Sequence, residues 1–233
     1  MTAQDQRVVV LGGTSGIGLA TARRAAEHGA TVIVASSSPD SVKRALGELP
    51  ASASSQAVDL TDSAAVNAFF DGLDPFDHLV YTAGEALTLV DARAMDLDRA
   101  RKAFELRYFG VLGTVSAAAG KIRAGGSITL TSGTAADRPG PGWSVAASLC
   151  GAVDALTRAL ALELAPIRVN AVKPGVVRTP LWPDGFDYEA AAEGVLVDRI
   201  GEPEDIAAAY LFLMEQAYAT GSVVTVGGGN VLV

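Results

Sequence analysis

The sequence predicts one α/β domain, spanning residues 1–233, in which a parallel sheet carries helices on both faces. Two observations lead to this fold class. Short runs rich in β-branched residues alternate with longer alanine-rich segments along the chain, and this alternation is typical of βα units that share a parallel sheet. The length of 233 residues also suits a single domain, because it leaves no room for a second one of ordinary size.

Seven segments have the pattern of strands. The first is an apolar run that ends at a glycine, as expected for a buried parallel strand. The complete set is "RVVVL" at 7–11, "TVIVA" at 31–35, "QAVDL" at 56–60, "FDHLVYTAG" at 76–84, "GSITLTSG" at 126–133, "IRVNAVKPG" at 167–175 and "SVVTV" at 222–226.

Six segments have the pattern of helices. The first runs from about Gly16 to the glycine stop at Gly29, and the second begins with Ser38 as its N-cap and Pro39 in its first turn. The others are "TDSAAVNAFFDGL" at 61–73, a long helix at about 95–121, a helix that ends at Leu164, and "EPEDIAAAYLFLM" at 202–214. The segment 180–200 lies outside this alternation and is either a surface connection or a lid over the site.

The composition argues against several classes of function. The formal net charge is −8 and the pI is about 4.7, which disfavours nucleic acid or an anionic membrane as a partner. No apolar run is expected to reach the length of a membrane span, the N-terminus lacks the features of a signal peptide, and no cluster of residues has metal-ligand spacing. With a single cysteine, these features predict a cytoplasmic protein that acts on a small molecule without a metal.

A glycine-rich turn, "LGGTSGIG" at 11–18, joins the first strand to the first helix. Glycines let the backbone turn tightly and let a pyrophosphate approach, while the helix start offers free N–H groups and the positive end of its dipole. The strand before it, the helix after it and the later βα units favour a dinucleotide site over a simple turn. The predicted contacts are Gly12, Thr14, Ser15, Gly16, Ile17 and Gly18.

The end of the second strand bears on the choice of cofactor. An acidic residue there would bind the adenosine ribose hydroxyls and repel a 2′-phosphate. This chain has Ser36, Ser37 and Ser38 instead, so that three hydroxyls could accept the phosphate, although no arginine is present to pair with it. The sequence therefore favours NADP over NAD. The alternative is that these serines only cap the following helix.

Four motifs together resemble the short-chain dehydrogenase/reductase family: the glycine turn, "VDL" at 58–60, "TAG" at 82–84 and "NAVKPGVVRTP" at 170–180. The resemblance implies a Rossmann-type sheet of seven strands in the order 3-2-1-4-5-6-7, in a homodimer or homotetramer. It also implies further cofactor contacts, at Asp59, Leu60, Thr82, Ala83, Gly84, Pro174, Gly175, Val177 and Thr179.

The residues that the family uses for proton transfer are replaced in this chain. The family has a tyrosine that exchanges the proton, a lysine four residues later, a serine on the fifth strand and an asparagine on the long helix. Alignment on the segment 151–170 places these positions at Ala146, Cys150, Gly133 and Arg107. No tyrosine of the chain has a lysine four residues after it, so the difference does not depend on the alignment.

Three side chains are candidates for the missing proton chemistry. Ser132 follows the end of the fifth strand, next to the family's serine position. Arg107 could bind a substrate carboxylate or stabilise an oxyanion, or it could simply form a salt bridge on its helix. Tyr108 is its neighbour, and its phenol points either into the site or into the core.

Three functions remain open at this point. The favoured one is an NADP(H)-dependent oxidoreductase that transfers hydride to or from a small carbonyl, alcohol or related substrate with a non-standard proton-transfer site. The first alternative is a cofactor-binding sensor or partner subunit without redox chemistry. The second is an isomerase or dehydratase that reuses the pocket. The match at Thr179, at the nicotinamide end of the site, favours the oxidoreductase.

Overall fold

The computed structural model describes residues 4–87 and 89–233, and its strands form one parallel sheet in the order β3-β2-β1-β4-β5-β6-β7. The predicted fold class and strand order are therefore confirmed. The strands are β1 Arg7–Leu11, β2 Thr31–Ser36, β3 Ser54–Ala57, β4 Phe76–Tyr81, β5 Ile122–Thr131, β6 Arg168–Pro174 and β7 Val223–Val226.

Helices connect these strands and lie on both faces of the sheet. They are α1 Gly16–Glu27, α2 Pro39–Leu46, α3 Ser63–Asp71, α4 Leu97–Phe104, α5 Gly110–Ala118, α6 Ser144–Glu163, α7 Tyr188–Ala192 and α8 Pro203–Glu215. The segment 180–200 contains α7 and is otherwise irregular. The two interpretations of this segment, a surface connection or a lid, both stay predictions.

The alternation of side chains in the strands builds two apolar layers. In β1, Val8 and Val10 pack in a cluster with α1, α2 and α8, whereas Val9 and Leu11 pack in a cluster with α3, α5 and α6. Successive side chains of a strand point to opposite faces, so an apolar run without polar positions suits a sheet that is covered on both sides. Each such buried side chain contributes about 1.5–3 kcal/mol to stability.

Polar side chains fix where the helices begin. The hydroxyl oxygen of Ser38 accepts a hydrogen bond from the Ser41 amide at 3.2 Å, and Pro39 occupies the first turn of α2, as predicted. The Asp62 carboxylate likewise caps α3 by accepting from the amide of Ala64 at 2.9 Å. These caps satisfy N–H groups that a helix leaves without partners at its start.

The bounds of two strands differ from the prediction. The third strand was predicted at 56–60 but lies at Ser54–Ala57, because its partner β2 ends opposite Ala57. Asp59 and Leu60 therefore follow the strand, at the carboxyl edge of the sheet. The fifth strand was predicted to start at residue 126 but already pairs with β4 at Ile122.

The long helix predicted at about 95–121 is interrupted. A π-helical turn, Glu105–Phe109, separates α4 from α5. Such a turn inserts a residue into the helical repeat and is often found at functional sites. The turn lies against β4. A Cβ on Gly110, the residue that follows the turn, would lie 2.7 Å from the hydroxyl of Tyr81 at the end of β4. The sequence pattern did not reveal this change of phase.

The expectation that no apolar run reaches the length of a membrane span was wrong for α6. Its 20 residues are long and apolar enough to cross a membrane by length and composition alone, with a mean hydropathy of 1.5. In this fold one face of α6 packs on the sheet through Leu149, Val153 and Leu160. A core helix of an α/β domain can meet the same criterion, although only 33% of the apolar window of α6 is buried in this structure.

One buried histidine lies near the start of β4. His78 is 1% exposed, and its ring nitrogens bond the Ser127 hydroxyl at 2.8 Å and the Gln6 side chain at 3.0 Å. Burial, together with the charge of Arg168, lowers the pKa of His78 to about 4, with Asp77 partly opposing them. The ring is therefore neutral in the folded protein at neutral pH.

We expect His78 to make stability depend on pH. The unfolded chain takes up a proton near the ordinary pKa of 6.5, whereas the folded chain does so only near pH 4. The contribution of His78 to the free energy of unfolding is fully present above pH 6.5. It falls by about 3 kcal/mol in total as the pH falls towards 4. Urea unfolding at pH 7 and 5 should show that the free energy of unfolding changes less with pH in His78→Asn than in the wild type. His28→Asn, which changes the chain's other histidine, is the control, and equal pH effects in both variants would contradict this account.

Candidate functional site

Two adjoining cavities open at the carboxyl edge of the sheet. The first has a volume of about 290 Å³ and the second a volume of about 560 Å³. Both are lined by residues at or beyond the ends of the central strands, which is where ligands bind in open α/β sheets. Six residues line both cavities and form what we call the junction: Ile17, Glu85, Arg107, Thr131, Thr179 and Leu181.

Glycines create the floor of the first cavity. Gly12 has φ +80°, and a Cβ there would lie 2.5 Å from the Ala83 amide nitrogen. A Cβ on Gly18 would overlap the Gly12 carbonyl oxygen and the Thr82 hydroxyl. Larger residues at either position would push α1 away from the turn, so the glycines permit the close packing that a phosphate cradle needs.

The start of α1 differs from the starts of the capped helices. Ser15 is in the N-cap position, but its side chain makes no capping hydrogen bond. The first amides of α1 thus face the cavity without a side-chain acceptor, beside the positive end of the helix dipole. An anionic phosphate suits these amides, and the residues present therefore fit a nicotinamide dinucleotide.

Most of the predicted cofactor contacts lie together in the first cavity. They are Gly12, Thr14, Ser15, Gly16, Ile17, Gly18, Ser36, Ser37, Asp59, Leu60, Thr82, Ala83, Gly84 and Thr179. Ser38 lines neither cavity, and its hydroxyl caps α2. Pro174, Gly175 and Val177 line the second cavity instead.

Asp59 carries a fixed negative charge at the rim of the first cavity. Its carboxylate accepts hydrogen bonds from the Thr61 hydroxyl at 2.7 Å and the Thr61 amide at 2.9 Å. These bonds lower the pKa of Asp59, although burial opposes them slightly. The carboxylate is therefore a hydrogen-bond acceptor at neutral pH.

The second cavity has a largely apolar wall. Trp143 and Trp182 line it with their ring centroids 6.1 Å apart, and Phe186 stacks on Trp182 at 4.2 Å. The Trp182 indole donates a hydrogen bond to the Val177 carbonyl at 2.9 Å, which fixes the orientation of its ring. Leu181, Trp182, Ala191, Gly194 and Val195 place part of the segment 180–200 in this wall.

The helix α6 presents neither tyrosine nor lysine to the second cavity. Ala146 and Cys150 line the cavity from this helix, and the Cys150 sulfur fills the space above Gly133, 3.0 Å from where a Cβ would be. Burial raises the pKa of Cys150 to about 11, with the positive charge of Arg107 opposing it. Cys150 is therefore a neutral thiol at neutral pH, which is a poor nucleophile.

The structure places the three candidate catalytic residues differently. Ser132 lines the second cavity, but it is 9% exposed and its hydroxyl donates to the Cys150 carbonyl at 3.1 Å. Arg107 lies at the junction. Tyr108 lines neither cavity, and its ring packs edge-on against Phe104 and Phe109.

Two phenols near the junction are engaged in structural contacts. The hydroxyl of Tyr81 donates to the Leu106 carbonyl at 2.6 Å, and burial together with the nearby Glu85 charge raises the pKa of Tyr81. The Tyr210 side chain is buried against the Thr131 hydroxyl, and burial raises the pKa of Tyr210 as well. Neither phenol therefore exchanges a proton readily near neutral pH.

Two features of the site were missed in the sequence. Glu85 pairs with Arg107, and the buried Lys173 forms a cluster with the half-exposed Asp137 at 2.8 Å and with Asp154 at 2.7 Å. Burial disfavours the charge of Lys173, but the two carboxylates outweigh burial and raise the pKa of Lys173. Both features join residues that are far apart in sequence. The only local signal was the position of Glu85 directly after "TAG", which could have drawn attention to Glu85.

Comparison with known proteins agrees with this geometry. A family model described as enoyl-(acyl carrier protein) reductase matches residues 12–230. The short-chain dehydrogenase/reductase ATR9 of Stachybotrys chlorohalonatus is 38% identical, over 99% of each chain. The chain belongs to the short-chain dehydrogenase/reductase family. It is thus an oxidoreductase of a family that binds nicotinamide cofactors.

Solved structures of short-chain dehydrogenases/reductases superpose on the whole chain. A small-chain dehydrogenase in complex with NADPH is 33% identical, with a TM-score of 0.86, and the match covers 99% of this chain and 100% of that one. MalC reductase/Diels-Alderase from Malbranchea aurantiaca is 30% identical, with a TM-score of 0.91, covering 99% of this chain and 98% of that one. Within this fold, the junction is where bound cofactor and substrate would meet.

Proposed function

We propose that this short-chain dehydrogenase/reductase is an NADPH-dependent reductase of apolar, ring-bearing carbonyl compounds, or catalyses the reverse oxidation, with a proton-transfer site that does not use tyrosine. The observation that carries this proposal is the pair of adjoining cavities, one glycine-lined and one apolar, that share the junction. When bound, the nicotinamide supplies or accepts the hydride. The residues of this chain bind and orient both molecules and handle the proton.

The end of β2 supports NADP as the cofactor. Ser36 and Ser37 line the first cavity, where an acidic residue would repel a 2′-phosphate. One solved relative is in complex with NADPH and another with NADH, so the choice of NADP rests on the serines. Thr179, at the junction, would hold the nicotinamide end, as its place in the family's motif implies.

The second cavity supports a ring-bearing substrate. Its volume of about 560 Å³ is in the range of sites for small organic ligands. Trp143 and Trp182 offer flat apolar surfaces, and aromatic pairs gain about 0.5–1.5 kcal/mol beyond the burial of area. A short-chain carbonyl compound would leave most of this wall without contacts.

The side chains around α6 support a proton-transfer site of a different kind from the family's. The Cys150 thiol is neutral, the Ser132 hydroxyl is bonded to the main chain, and the Tyr81 phenol is bonded to Leu106. None of these groups is free to exchange a proton with a substrate. A sensor without redox chemistry is the alternative that these engaged groups favour.

Cofactor choice is tested by replacing one serine. We expect the wild-type protein to bind NADPH more tightly than NADH, and Ser37→Asp to lower the NADPH affinity by about tenfold or more, because a carboxylate repels the 2′-phosphate. Fluorescence titration of both cofactors measures this. Ser52→Asp adds the same charge outside both cavities and should leave the preference unchanged. Equal affinities of the wild type for both cofactors would contradict the choice of NADP.

Turnover decides between the reductase and the sensor. With NADPH present, 2-acetonaphthone should be reduced, and acetone should be reduced far more slowly, as followed by the loss of nicotinamide absorbance. Tight NADPH binding without turnover of ring-bearing carbonyl compounds would favour the sensor instead.

A further inference from the structure

The junction contains one carboxyl group among the residues that line both cavities. Of the six junction residues, Ile17 and Leu181 are apolar, and an arginine guanidinium stays protonated. The Thr131 hydroxyl donates to the Tyr81 carbonyl at 2.6 Å, and threonine hydroxyls are very weak acids in any case. Glu85 is therefore the junction side chain whose chemistry suits proton exchange.

One oxygen of this carboxyl group is free to accept a hydrogen bond. Oε1 of Glu85 lies 3.6 Å from Nε of Arg107. Oε2 is shielded from solvent, and it has no hydrogen-bond partner within residues 4–87 and 89–233. A buried acceptor without a donor costs about 1–3 kcal/mol. The Glu85 side chain as a whole is 38% exposed, so a rotation of its carboxylate would present this oxygen to a ligand that brings an O–H or N–H group.

Arg107 holds Glu85 in position. Its Nη2 donates to the Glu85 carbonyl oxygen, and its guanidinium packs against the backbone of Gly84, where a Cβ would lie 2.5 Å from Cζ. The π-helical turn places Arg107 at this point, across 22 residues of sequence. Arg107 is thus a positioning residue, since it bonds the main chain of Glu85 and places a positive charge 3.6 Å from the Glu85 carboxylate.

We propose that Glu85 exchanges the reacting proton with the substrate, in place of the family's tyrosine; this rests on the function proposed above. In alcohol oxidation, the hydroxyl proton passes to the Glu85 carboxylate and the O–H bonding pair becomes the second C–O bond. The hydrogen on the carbon leaves with its electron pair and is accepted by the oxidised nicotinamide. In carbonyl reduction each transfer runs in reverse, and Glu85 gives its proton to the substrate oxygen.

A matched pair of ligands tests the hydrogen bond to Glu85. The probes are 1-(2-naphthyl)ethanol and its methyl ether, which share the ring but differ in the hydroxyl donor. With NADPH present, which cannot accept a hydride from the alcohol, calorimetry should show that the wild type binds the alcohol about tenfold more tightly than the ether. Glu85→Leu should abolish this ratio. The ratio is measured within each variant, so a general change in affinity does not affect it.

Glu85→Gln separates hydrogen bonding from proton transfer. The amide oxygen still accepts a hydrogen bond, so part of the alcohol preference should remain, but the amide takes up no proton, and NADP⁺ reduction by the alcohol should fall about 10²–10⁴-fold. Glu105→Gln is the control, because Glu105 is exposed, lies in the same π-helical turn as Arg107 and lines neither cavity. Its oxidation rate should equal that of the wild type.

The outcomes distinguish this proposal from the proposed function. If both probes bind but the alcohol preference of Glu85→Leu equals that of the wild type, Glu85 is not the acceptor, while the substrate class stands. If Glu85→Gln oxidises the alcohol at the wild-type rate, Glu85 does not take the proton. If NADPH binds but neither probe does, the ring-bearing substrate class is wrong and the assignment of Glu85 falls with it.

Discussion

Gly18→Ala should abolish most cofactor binding. The new methyl group would overlap the Gly12 carbonyl oxygen and the Thr82 hydroxyl, so α1 must move away from the turn. Such overpacking costs about 1–3 kcal/mol of stability. The shift also misaligns the first amides of α1, and the loss of two charge-assisted hydrogen bonds to phosphate corresponds to about 100-fold in NADPH affinity.

A second glycine gives a matched control for this prediction. A Cβ on Gly151, within α6, meets nothing within 4 Å. Gly151→Ala should leave NADPH affinity unchanged and raise the free energy of unfolding by about 0.5–1 kcal/mol, because alanine is the better helix former. Fluorescence titration and urea unfolding measure both effects. If Gly18→Ala binds NADPH as well as Gly151→Ala does, the glycine turn is not the phosphate cradle.

The sheet could be predicted because its signals are local. The residues at 8–11 and 32–35 are apolar without interruption, and the segments predicted at 7–11 and 31–35 correspond to β1 and to the first five residues of β2. The N-cap at Ser38 was also predicted correctly, since a cap depends on residues three positions apart. The bounds of β3 depend on its partner β2, and no local pattern in 56–60 reports where that partner ends.

The chemistry at the junction was not accessible in the same way. Glu85 and Arg107 lie 22 residues apart, and they meet because a π-helical turn interrupts the predicted long helix. Ser132 lay where the sequence placed it, but the sequence does not show that its hydroxyl is bonded to the Cys150 carbonyl. Residue types and spacing thus predicted which strand ends line the site. The hydrogen bonds that occupy or free each group arise only from the packing.

The cluster around the buried Lys173 should make a large contribution to stability. Lys173 is 5% exposed and bonds Asp137 and Asp154, and the second oxygen of Asp154 is buried without a partner in the described part of the chain. Lys173→Met leaves the Asp154 carboxylate buried without its cation. We expect a loss of about 3–5 kcal/mol in the free energy of unfolding, measured by urea denaturation at neutral pH.

The control and the second variant show whether the uncompensated charge causes this loss. Arg101→Met removes an exposed ion pair with Asp98 and should cost less than about 1 kcal/mol. Adding Asp154→Asn to Lys173→Met should recover part of the stability, because the stranded charge is removed; a double variant as unstable as the single one would argue against this cause. The cluster also connects the wall of the second cavity to β6. Asp137 directly precedes Arg138, Pro139 and Gly140, which line the second cavity. Because the bond between Lys173 and Asp137 holds this part of the wall to β6, Lys173→Met should also weaken binding of the naphthyl probes.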